Sequence, residues 1–216
     1  MLTVQNVKGY ASKMGTGERK ERERADLRGR ILEAARAIVF AEGASALTMR
    51  KIAEAVEYAP ATLYQHFENR EAIVRELCLA GFHELLRALA PCASYDDPLA
   101  RLEALGIAYV RFGLERPETY RLMFMEDPAI TAALYGSLAE PDDAGEQSFN
   151  LIAGSFETLK ARGQLAEDAD SKVLGETFWA AVHGIVSLKL ACPHYPETSA
   201  EVLTASMTRT LLHGLT

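Results

Sequence analysis

The amino-acid sequence predicts an all-α protein with two domains. Apolar residues recur at helical spacing through most of the 216 residues, and no convincing alternation indicates β-strands. With 49% hydrophobic and 25% charged residues, the chain has the composition of a globular protein that buries a sizeable core. Charge distinguishes the two parts, since residues 1–70 contain 12 Lys and Arg against 9 Asp and Glu, whereas the remainder contains 11 against 21.

A tail and one helix are predicted at the start of the chain. Residues 1–24 mix glycine, serine and charged side chains without apolar periodicity, which indicates a mobile tail. From Asp26 onwards, apolar residues at helical spacing predict an amphipathic helix, and Gly43 suits a left-handed cap at its C-terminal end. This helix is expected to brace the segment that follows.

Two short helices joined by a tight turn are predicted between Thr48 and Phe67. Thr48 is a suitable N-cap, and a single apolar stripe follows it, formed by Met49, Ile52, Ala53 and Val56. The second helix begins at Pro60, because proline has a helical φ angle and its missing N–H has no partner at that position. Only Glu57, Tyr58 and the cap position Ala59 separate the two helices.

The outer side of the second helix indicates a contact surface. If Leu63 and Phe67 face the core, the exposed residues are small, polar or aromatic, namely Ala61, Thr62, Tyr64 and Gln65. A purely solvated face would carry more charge. The pair therefore fits a helix-turn-helix whose second helix enters the major groove of DNA, and the positive balance of residues 1–70 agrees with an approach to phosphates.

Helical periodicity continues to the end of the chain. Asn69 can cap a helix that runs towards Pro91. Further helices are predicted over about 98–115, 117–125, 127–139, 144–162, 168–191 and 197–213. Stops are supplied by Gly163 and by the corner between Pro193 and Pro196.

The last two predicted helices suggest a homodimer. Apolar residues of the penultimate helix spread around most of its circumference, so a single-sided core would leave apolar surface in water. A second copy of the chain would cover it in a four-helix interface formed by Val182, Ile185, Val186, Leu203, Met207 and Leu211. The alternative is that this helix is simply central in its own domain.

Several classes of protein are not indicated by the sequence. The three cysteines are odd in number and widely spaced, the N-terminus lacks the apolar core of a signal peptide, and the longest apolar stretch is too short to span a membrane, which together predict a cytoplasmic protein. The five histidines show no metal-ligand spacing beyond the weak pair Cys192 and His194. We expect no metal site, no cofactor and no enzymatic activity, because nucleotide-binding and nucleophile motifs are also missing.

Residues 25 to about 75 resemble the N-terminal domain of TetR-family transcriptional regulators. The resemblance is carried by RILEAA, by LTMRKIAEAV and above all by ATLYQHFENREAI, in which Thr62, Leu63, Tyr64, Phe67 and Arg70 follow the family pattern. Farther along, RPETYRLMF and FWAAVHGIVSL resemble a C-terminal domain subclass with a Trp-His-Gly constellation at Trp179, His183 and Gly184. The resemblance implies a DNA-binding domain over residues 25–85 and a helical effector-binding and dimerisation domain over residues 86–216.

The resemblance also implies roles for individual residues toward double-stranded DNA. Thr48 and Tyr64 would contact phosphate, Arg50 would reach a base edge or phosphate, and Ala61 and Thr62 would face bases. His66 and Arg70 would hold the DNA backbone. This chain departs from the family pattern in having Glu57 for a turn glycine, Ala59 for a capping serine and Pro60 for a contact residue.

The basic residues of the predicted tail leave two interpretations open. Arg19, Lys20, Arg22 and Arg24 could form a basic arm that contacts DNA. The alternative is a solvated run of charges, because glutamates are interleaved with these cations.

The expected function is that of a homodimeric repressor which binds a palindromic operator and is released by a small, apolar effector. Candidate pocket residues are Tyr109, Phe112, Tyr120, Met123, Phe124, Met125, Phe156 and Trp179, with His183 one helical turn after Trp179. The alternative for each of them is an ordinary core residue. A helical ligand-binding protein or enzyme with a vestigial DNA-binding domain is the competing class.

Overall fold

The computed structural model describes residues 4–125, 143–192 and 194–213. Within these ranges the chain forms α-helices and short 3₁₀ turns and no strand, which confirms the all-α prediction. Numbered along the described residues, the α-helices are α1 (Val4–Glu42), α2 (Met49–Val56), α3 (Pro60–Leu63), α4 (Arg70–Leu89), α5 (Pro98–Glu115), α6 (Pro117–Phe124), α7 (Ala144–Ala161), α8 (Ser171–Ala191) and α9 (Ala200–His213). In the part of the chain that the structure describes, none of these helices could cross a membrane.

The chain divides into two compact units, Met1–Leu77 and Cys78–Thr216. Helix α4 contributes to both, since the division falls between its residues Leu77 and Cys78. The sequence-based division after residue 85 lies about two turns farther along the same helix.

The N-terminal unit is built around one apolar cluster. Helix α1 packs on α2, and α2 on α3. The first turns of α4 also contribute buried side chains. Its fully buried side chains include Ile31, Ala35, Leu47, Ile52, Leu63, Ile73 and Val74. The stripe predicted on α2 is confirmed at Ile52, Ala53 and Val56, which are buried, and Met49 is partly buried.

Helix α1 begins well before the predicted start at Asp26, because the structure continues it back to Val4. Charged residues spaced one turn apart support the segment that was predicted as a mobile tail: Arg19 pairs with Glu23 at 3.4 Å, and Nε of Arg22 donates to the carbonyl of Glu18. Apolar periodicity could not reveal this helix, since the residues from Gly17 to Asp26 are all exposed.

Gly43 ends α1 with a conformation that differs from the predicted left-handed cap. Its φ is 85° but its ψ is 164°, a combination of angles that is essentially restricted to glycine. The Gly43 N–H still binds the carbonyl of Val39 at 2.9 Å.

The C-terminal unit places α5 at its centre. Helices α7, α8 and α9 all pack against α5. Helix α8 also packs against α7 on one side and α9 on the other. Asp97, Asp143 and Asp170 accept N–H bonds at the starts of α5, α7 and α8. At the end of α7, Gly163 has φ 69° and the N–H of Gln164 binds the carbonyl of Leu159, which confirms the predicted stop.

Most predicted helix ends agree closely with the structure. The prediction of 98–115 matches α5, and Asn69 caps α4 by accepting a 2.8 Å bond from the N–H of Ala72. The predicted helix 168–191 starts at Ser171, and the one predicted over 197–213 starts at Ala200. The segment predicted over 127–139 lies outside the described residues.

Candidate DNA interface and effector cavity

Helices α2 and α3 begin where the sequence predicts. Thr48 caps α2 by accepting a 3.1 Å bond from the N–H of Lys51. Glu57 adopts the left-handed region at φ 61°, where a non-glycine residue costs on the order of 1–2 kcal/mol. Ala59 makes no side-chain cap bond to α3, and Pro60 is its first residue.

Helix α3 is shorter than predicted, but its direction is continued by turns as far as Phe67. The N–H groups of His66 and Phe67 both bind the carbonyl of Leu63 at 2.9 Å. Leu63 and Phe67 are buried, as predicted, and the cap position Ala59 is exposed.

The predicted DNA-facing residues of this segment lie on its exposed side. The Tyr64 residue is 56% exposed, Pro60, Ala61 and Gln65 are exposed, and Thr62 is partly so. The structure thus presents hydroxyl, methyl and amide groups together on one surface, which are the groups that can contact phosphates and base edges.

Arg50 projects from α2 with 85% of its side chain exposed. Its Nε donates to the carboxylate of Glu54 at 2.9 Å. Exposed pairs of this kind contribute about 0–1 kcal/mol, so a phosphate or a guanine could replace Glu54 at little cost.

Arginines of α1 bind the backbone carbonyls at the ends of α2 and α3. Arg30 donates to the carbonyl of Val56 at 3.1 Å, and Arg28 donates to that of His66 at 2.5 Å. The Arg28 guanidinium also lies 4.1 Å from the centre of the Phe67 ring and pairs with Glu76. These bonds satisfy carbonyls that the short helices leave unpaired, and they hold the turn at a point where the usual glycine and serine are missing.

Arg70 has a different role in the structure from the predicted phosphate contact. Its guanidinium donates to the carbonyls of Ala44 and Leu47, both at 2.8 Å, and also lies near Glu71. A side chain bound in this way orients the entry to α2. The predicted contact of Arg70 with DNA remains a prediction.

His66 belongs to the segment from Pro60 to Phe67, which we call the recognition segment, and its surroundings disfavour the protonated ring. Burial lowers its pKa, and the charges of Arg24 and Arg28 lower it further. Its Nδ1 is buried and has no hydrogen-bond partner among the described residues. The lowered pKa favours the neutral ring, which can still donate one N–H to a phosphate.

The C-terminal unit contains an apolar cavity of about 480 Å³. Its walls come from α4, α5, the end of α6, α7 and α8, and are formed mainly by Phe82, Leu85, Leu89, Tyr109, Phe124, Phe149, Ile152 and Trp179. Three charged residues, Glu146, Lys172 and Glu176, lie at its edge, where Nζ of Lys172 is 4.0 Å from Glu176. A site of this volume and lining suits a compact apolar ligand.

The predicted pocket residues separate into two groups. Tyr109, Phe124 and Trp179 line the cavity. Phe112, Tyr120, Met123 and Phe156 do not line it and are buried core residues, which was the alternative left open for them; Met125 is exposed.

Sequence reasoning missed the cavity walls that α4 and α7 provide. Phe82, Leu85 and Leu89 recur at intervals of three and four on α4, a spacing that was available in the sequence. The spacing alone does not distinguish a cavity wall from a filled core.

Two side chains of the cavity wall, Trp179 and Tyr109, form a chain of hydrogen bonds with Tyr120 and His183, which do not line the cavity. Nε1–H of Trp179 donates to the Tyr109 hydroxyl at 3.0 Å, the hydroxyls of Tyr109 and Tyr120 are 3.1 Å apart, and the Tyr120 hydroxyl lies 2.5 Å from Nδ1 of His183. Burial lowers the pKa of His183, which favours the neutral ring. In the tautomer whose Nδ1 is an acceptor, all donors point in one direction, from Trp179 towards His183.

The dimer contacts predicted on α8 and α9 stay a prediction. Val182, Ile185 and Val186 are buried within the single chain, as expected if this helix is central in its own domain, which was the alternative left open. Leu203, Met207 and Leu211 are partly buried against the same core. The exposed apolar residues of these helices are Val173, Leu188 and Val202.

Two family profiles match the chain. The profile described as bacterial regulatory proteins, tetR family, matches residues 31–77, and the one described as tetracyclin repressor-like, C-terminal domain, matches residues 102–213. Together they include the helix-turn-helix and much of the unit that contains the cavity.

Individual relatives agree with these profiles. Over 161 residues the chain is 39% identical to the HTH-type transcriptional repressor KstR2 of Mycobacterium tuberculosis. The matched region covers 72% of this chain and 79% of the relative. It is 26% identical over 96 residues to the uncharacterized HTH-type transcriptional regulator YobS of Bacillus subtilis, and this match spans half of that protein's length and 44% of the present chain.

Solved structures share the fold along most of the chain. A protein of unknown function from Rhodococcus sp. RHA1 has a TM-score of 0.70 and 25% identity, over 88% of this chain and 95% of that one. The structure of the ketosteroid transcriptional regulator KstR2 of Mycobacterium tuberculosis has a TM-score of 0.60 and 23% identity, over 88% and 94%. From the matched domains and this relative, the chain belongs to the TetR family of transcriptional regulators.

Proposed function

We propose that the protein is a homodimeric repressor that binds a palindromic operator and is released from it by a small apolar effector. The observation that carries the proposal is the exposed surface of the recognition segment, backed by arginines that fix its carbonyls. Buried support beneath an exposed polar surface is what a rigid DNA-reading element requires.

Within this proposal, Arg50 and Tyr64 supply the main contacts on the two helices. Both side chains are exposed, and they come from opposite sides of the turn. Thr48, Pro60, Ala61 and Thr62 approach the groove, and Arg70 orients the start of α2 through its bonds to the carbonyls of Ala44 and Leu47.

The effector is proposed to occupy the cavity lined by Tyr109, Phe124 and Trp179. The aromatic walls favour a rigid, ring-containing compound, and the name of the relative KstR2 refers to ketosteroids, so compounds of that class are the first to test. Trp179, His183 and Gly184 would correspond to the Trp-His-Gly constellation of the C-terminal subclass.

Helix α4 is proposed to carry the signal between the two functions. Its first residue, Arg70, binds the carbonyls of Ala44 and Leu47, and farther along the same helix Phe82, Leu85 and Leu89 line the cavity. To change the operator-bound population from 99% to 1%, the effector must favour one state by about 10⁴-fold.

A second copy of the chain is proposed to bind the exposed face of α8 and α9. Leu188 and Val202 are 50% and 56% exposed and lie close to the loop that joins the two helices. A Cβ built on Gly184 meets nothing within 4 Å, so another helix could approach the backbone closely there.

The proposal is tested by titrating ketosteroids into the protein while following two signals. Fluorescence of Trp179, the single tryptophan, reports cavity binding, and anisotropy of a labelled operator reports release. Ala180→Phe would fill the cavity, whereas Ala180→Ser is the size-matched control. We expect Ala180→Phe to bind operator normally but to resist release.

Two results would separate the candidate functions. If ligands change Trp179 fluorescence but leave operator affinity unchanged at fixed salt, the linkage between the sites is absent. If the protein is monomeric and shows no salt-dependent DNA binding, a ligand-binding protein with a vestigial DNA-binding domain explains it better.

A further inference from the structure

A cleft separates the N-terminal part of α1 from the exposed recognition segment. Glu23, Arg24 and Leu27 line one side of this cleft. The other side is lined by Tyr58, Thr62, Gln65 and His66, which belong to the turn and to the segment that follows it. One face of α1 therefore borders the surface that the proposed function assigns to DNA.

Arg24 lies on the face of α1 that borders the recognition segment. Its Nη2 donates a 3.1 Å bond to the carbonyl of Gln65, although Arg24 itself is exposed. A guanidinium has five N–H donors, so this bond leaves Arg24 able to bind an anion at the edge of the cleft.

Lys20 lies one helical turn before Arg24 on the same face. Residues four apart in a helix are neighbours, and the rise between them is about 6 Å. Lys20 is exposed, and the same helical face continues into the domain through Leu27 and Ile31. Two cations thus follow α1 outward from the recognition segment on the face that borders the cleft.

Arg22 lies on the opposite face of the same helix. It is two residues from both Lys20 and Arg24, a rotation of about 200°, and its Nε donates to the carbonyl of Glu18. Arg19 also has a local partner, since it pairs with Glu23 at 3.4 Å. The cations of this segment are therefore not equivalent with respect to the DNA-facing surface.

We propose that Lys20 and Arg24 form a second, sequence-independent contact of this protein with duplex DNA, on the phosphate backbone beside the groove occupied by the recognition segment. The contact rests on the proposed function, and it supplies affinity where Pro60 has replaced a contact side chain. Both interpretations of the basic segment then hold, each for one face of α1. Lys20 and Arg24 act as a basic arm on one face, and the opposite face with Arg22 is a solvated run of charges.

The test compares Lys20→Gln with Arg22→Gln, which remove the same charge from opposite faces of α1. Operator affinity is measured at several salt concentrations, and the slope of log K against log salt counts phosphate contacts at about 0.9 each. We expect Lys20→Gln to make this negative slope shallower by about 0.9, for operator and unrelated duplexes alike. Arg22→Gln should leave the slope unchanged. Lys20→Arg should restore it.

Two further observations make the outcome decisive. The double variant Lys20→Gln/Arg24→Gln should make the negative slope shallower by about 1.8, while circular dichroism shows an unchanged helix content. Equal slopes for Lys20→Gln and Arg22→Gln would overturn the second contact even if the operator is bound. Absence of DNA binding by the unmodified protein would instead contradict the proposed function itself.

Discussion

The hydroxyl of Tyr120 on α6 lies 2.5 Å from Nδ1 of His183 on α8, at the end of a hydrogen-bond chain that starts at the cavity wall. Because the preceding members are Trp179 and Tyr109, a ligand that displaces Trp179 would disturb all four side chains. A neutral His183 can accept the Tyr120 bond at Nδ1, and burial favours this form by lowering the pKa of the ring.

This arrangement predicts a loss of stability in mild acid. Burial lowers the pKa of His183 below its ordinary value of 6.5, so the unfolded chain binds the proton more readily than the folded one. The free energy of unfolding should therefore fall as the pH drops from about 6.5 through the lower folded-state pKa. Urea denaturation at pH 7.5, 6.5 and 5.5 measures this change in the free energy of unfolding.

His183→Asn is the matched variant for this prediction, because the amide oxygen can accept the Tyr120 bond but does not titrate. It should show a smaller loss of stability over the same pH interval. Part of the loss should persist, since the pKa of His66 is also lowered. An identical pH dependence in the variant and the unmodified protein would contradict the role given to His183.

Arg70 should act as a positioning residue rather than a phosphate contact. Arg70→Met removes two bonds to the carbonyls of Ala44 and Leu47, and hydrogen bonds from charged groups contribute about 1.5–3 kcal/mol each. We expect reduced stability and weaker operator binding, with an unchanged slope of log K against log salt. If the negative slope becomes shallower by about 0.9, Arg70 contacts a phosphate, as the sequence predicted.

Helices α5 and α8 approach each other too closely at Gly113 for any side chain there. A Cβ at this position would lie 2.6 Å from Cγ1 of Val186 and 3.0 Å from the Tyr120 ring. Gly113→Ala should cost about 1–3 kcal/mol of unfolding free energy through overpacking.

Gly154→Ala in α7 is the control, because an added Cβ meets nothing within 4 Å. It should stabilise the protein by about 0.5–1 kcal/mol, since alanine replaces glycine inside a helix. Thermal unfolding of both variants checks the pair, and a Gly113→Ala variant as stable as the Gly154→Ala variant would show that the close approach is not maintained.

The three cysteines should differ sharply in their reaction with a thiol reagent. Burial raises the pKa of Cys78 to about 12 and also raises that of Cys92, whereas Cys192 is exposed. One equivalent should react quickly in the folded protein and three after denaturation. Cys192→Ser should abolish the fast phase; a fast phase that persists would mean that a buried thiol is accessible.

The sequence predicted most helix ends because caps and stops are local. Thr48, Asn69 and Gly163 act within one turn of the helices they start or end, so their roles were readable without the fold. The early start of α1 was not readable, because its residues from Gly17 to Asp26 are exposed and form no apolar stripe.

The candidate sites were predictable only where exposure follows from helical register. Tyr64 and Arg50 are exposed as expected, but the carbonyl bonds of Arg28 and Arg70 join residues far apart in sequence. For the same reason, the burial of Val186 against α5 could not be predicted until the packing was known.

The most direct test of the account is selection of random duplex DNA by the purified protein at fixed salt. Binding through the exposed Arg50 and Tyr64 surfaces of two subunits predicts enrichment of an inverted repeat whose half-sites are about 34–36 Å or a multiple apart. Arg50→Ala should lose this enrichment. Failure of the unmodified protein to enrich any motif would contradict the account.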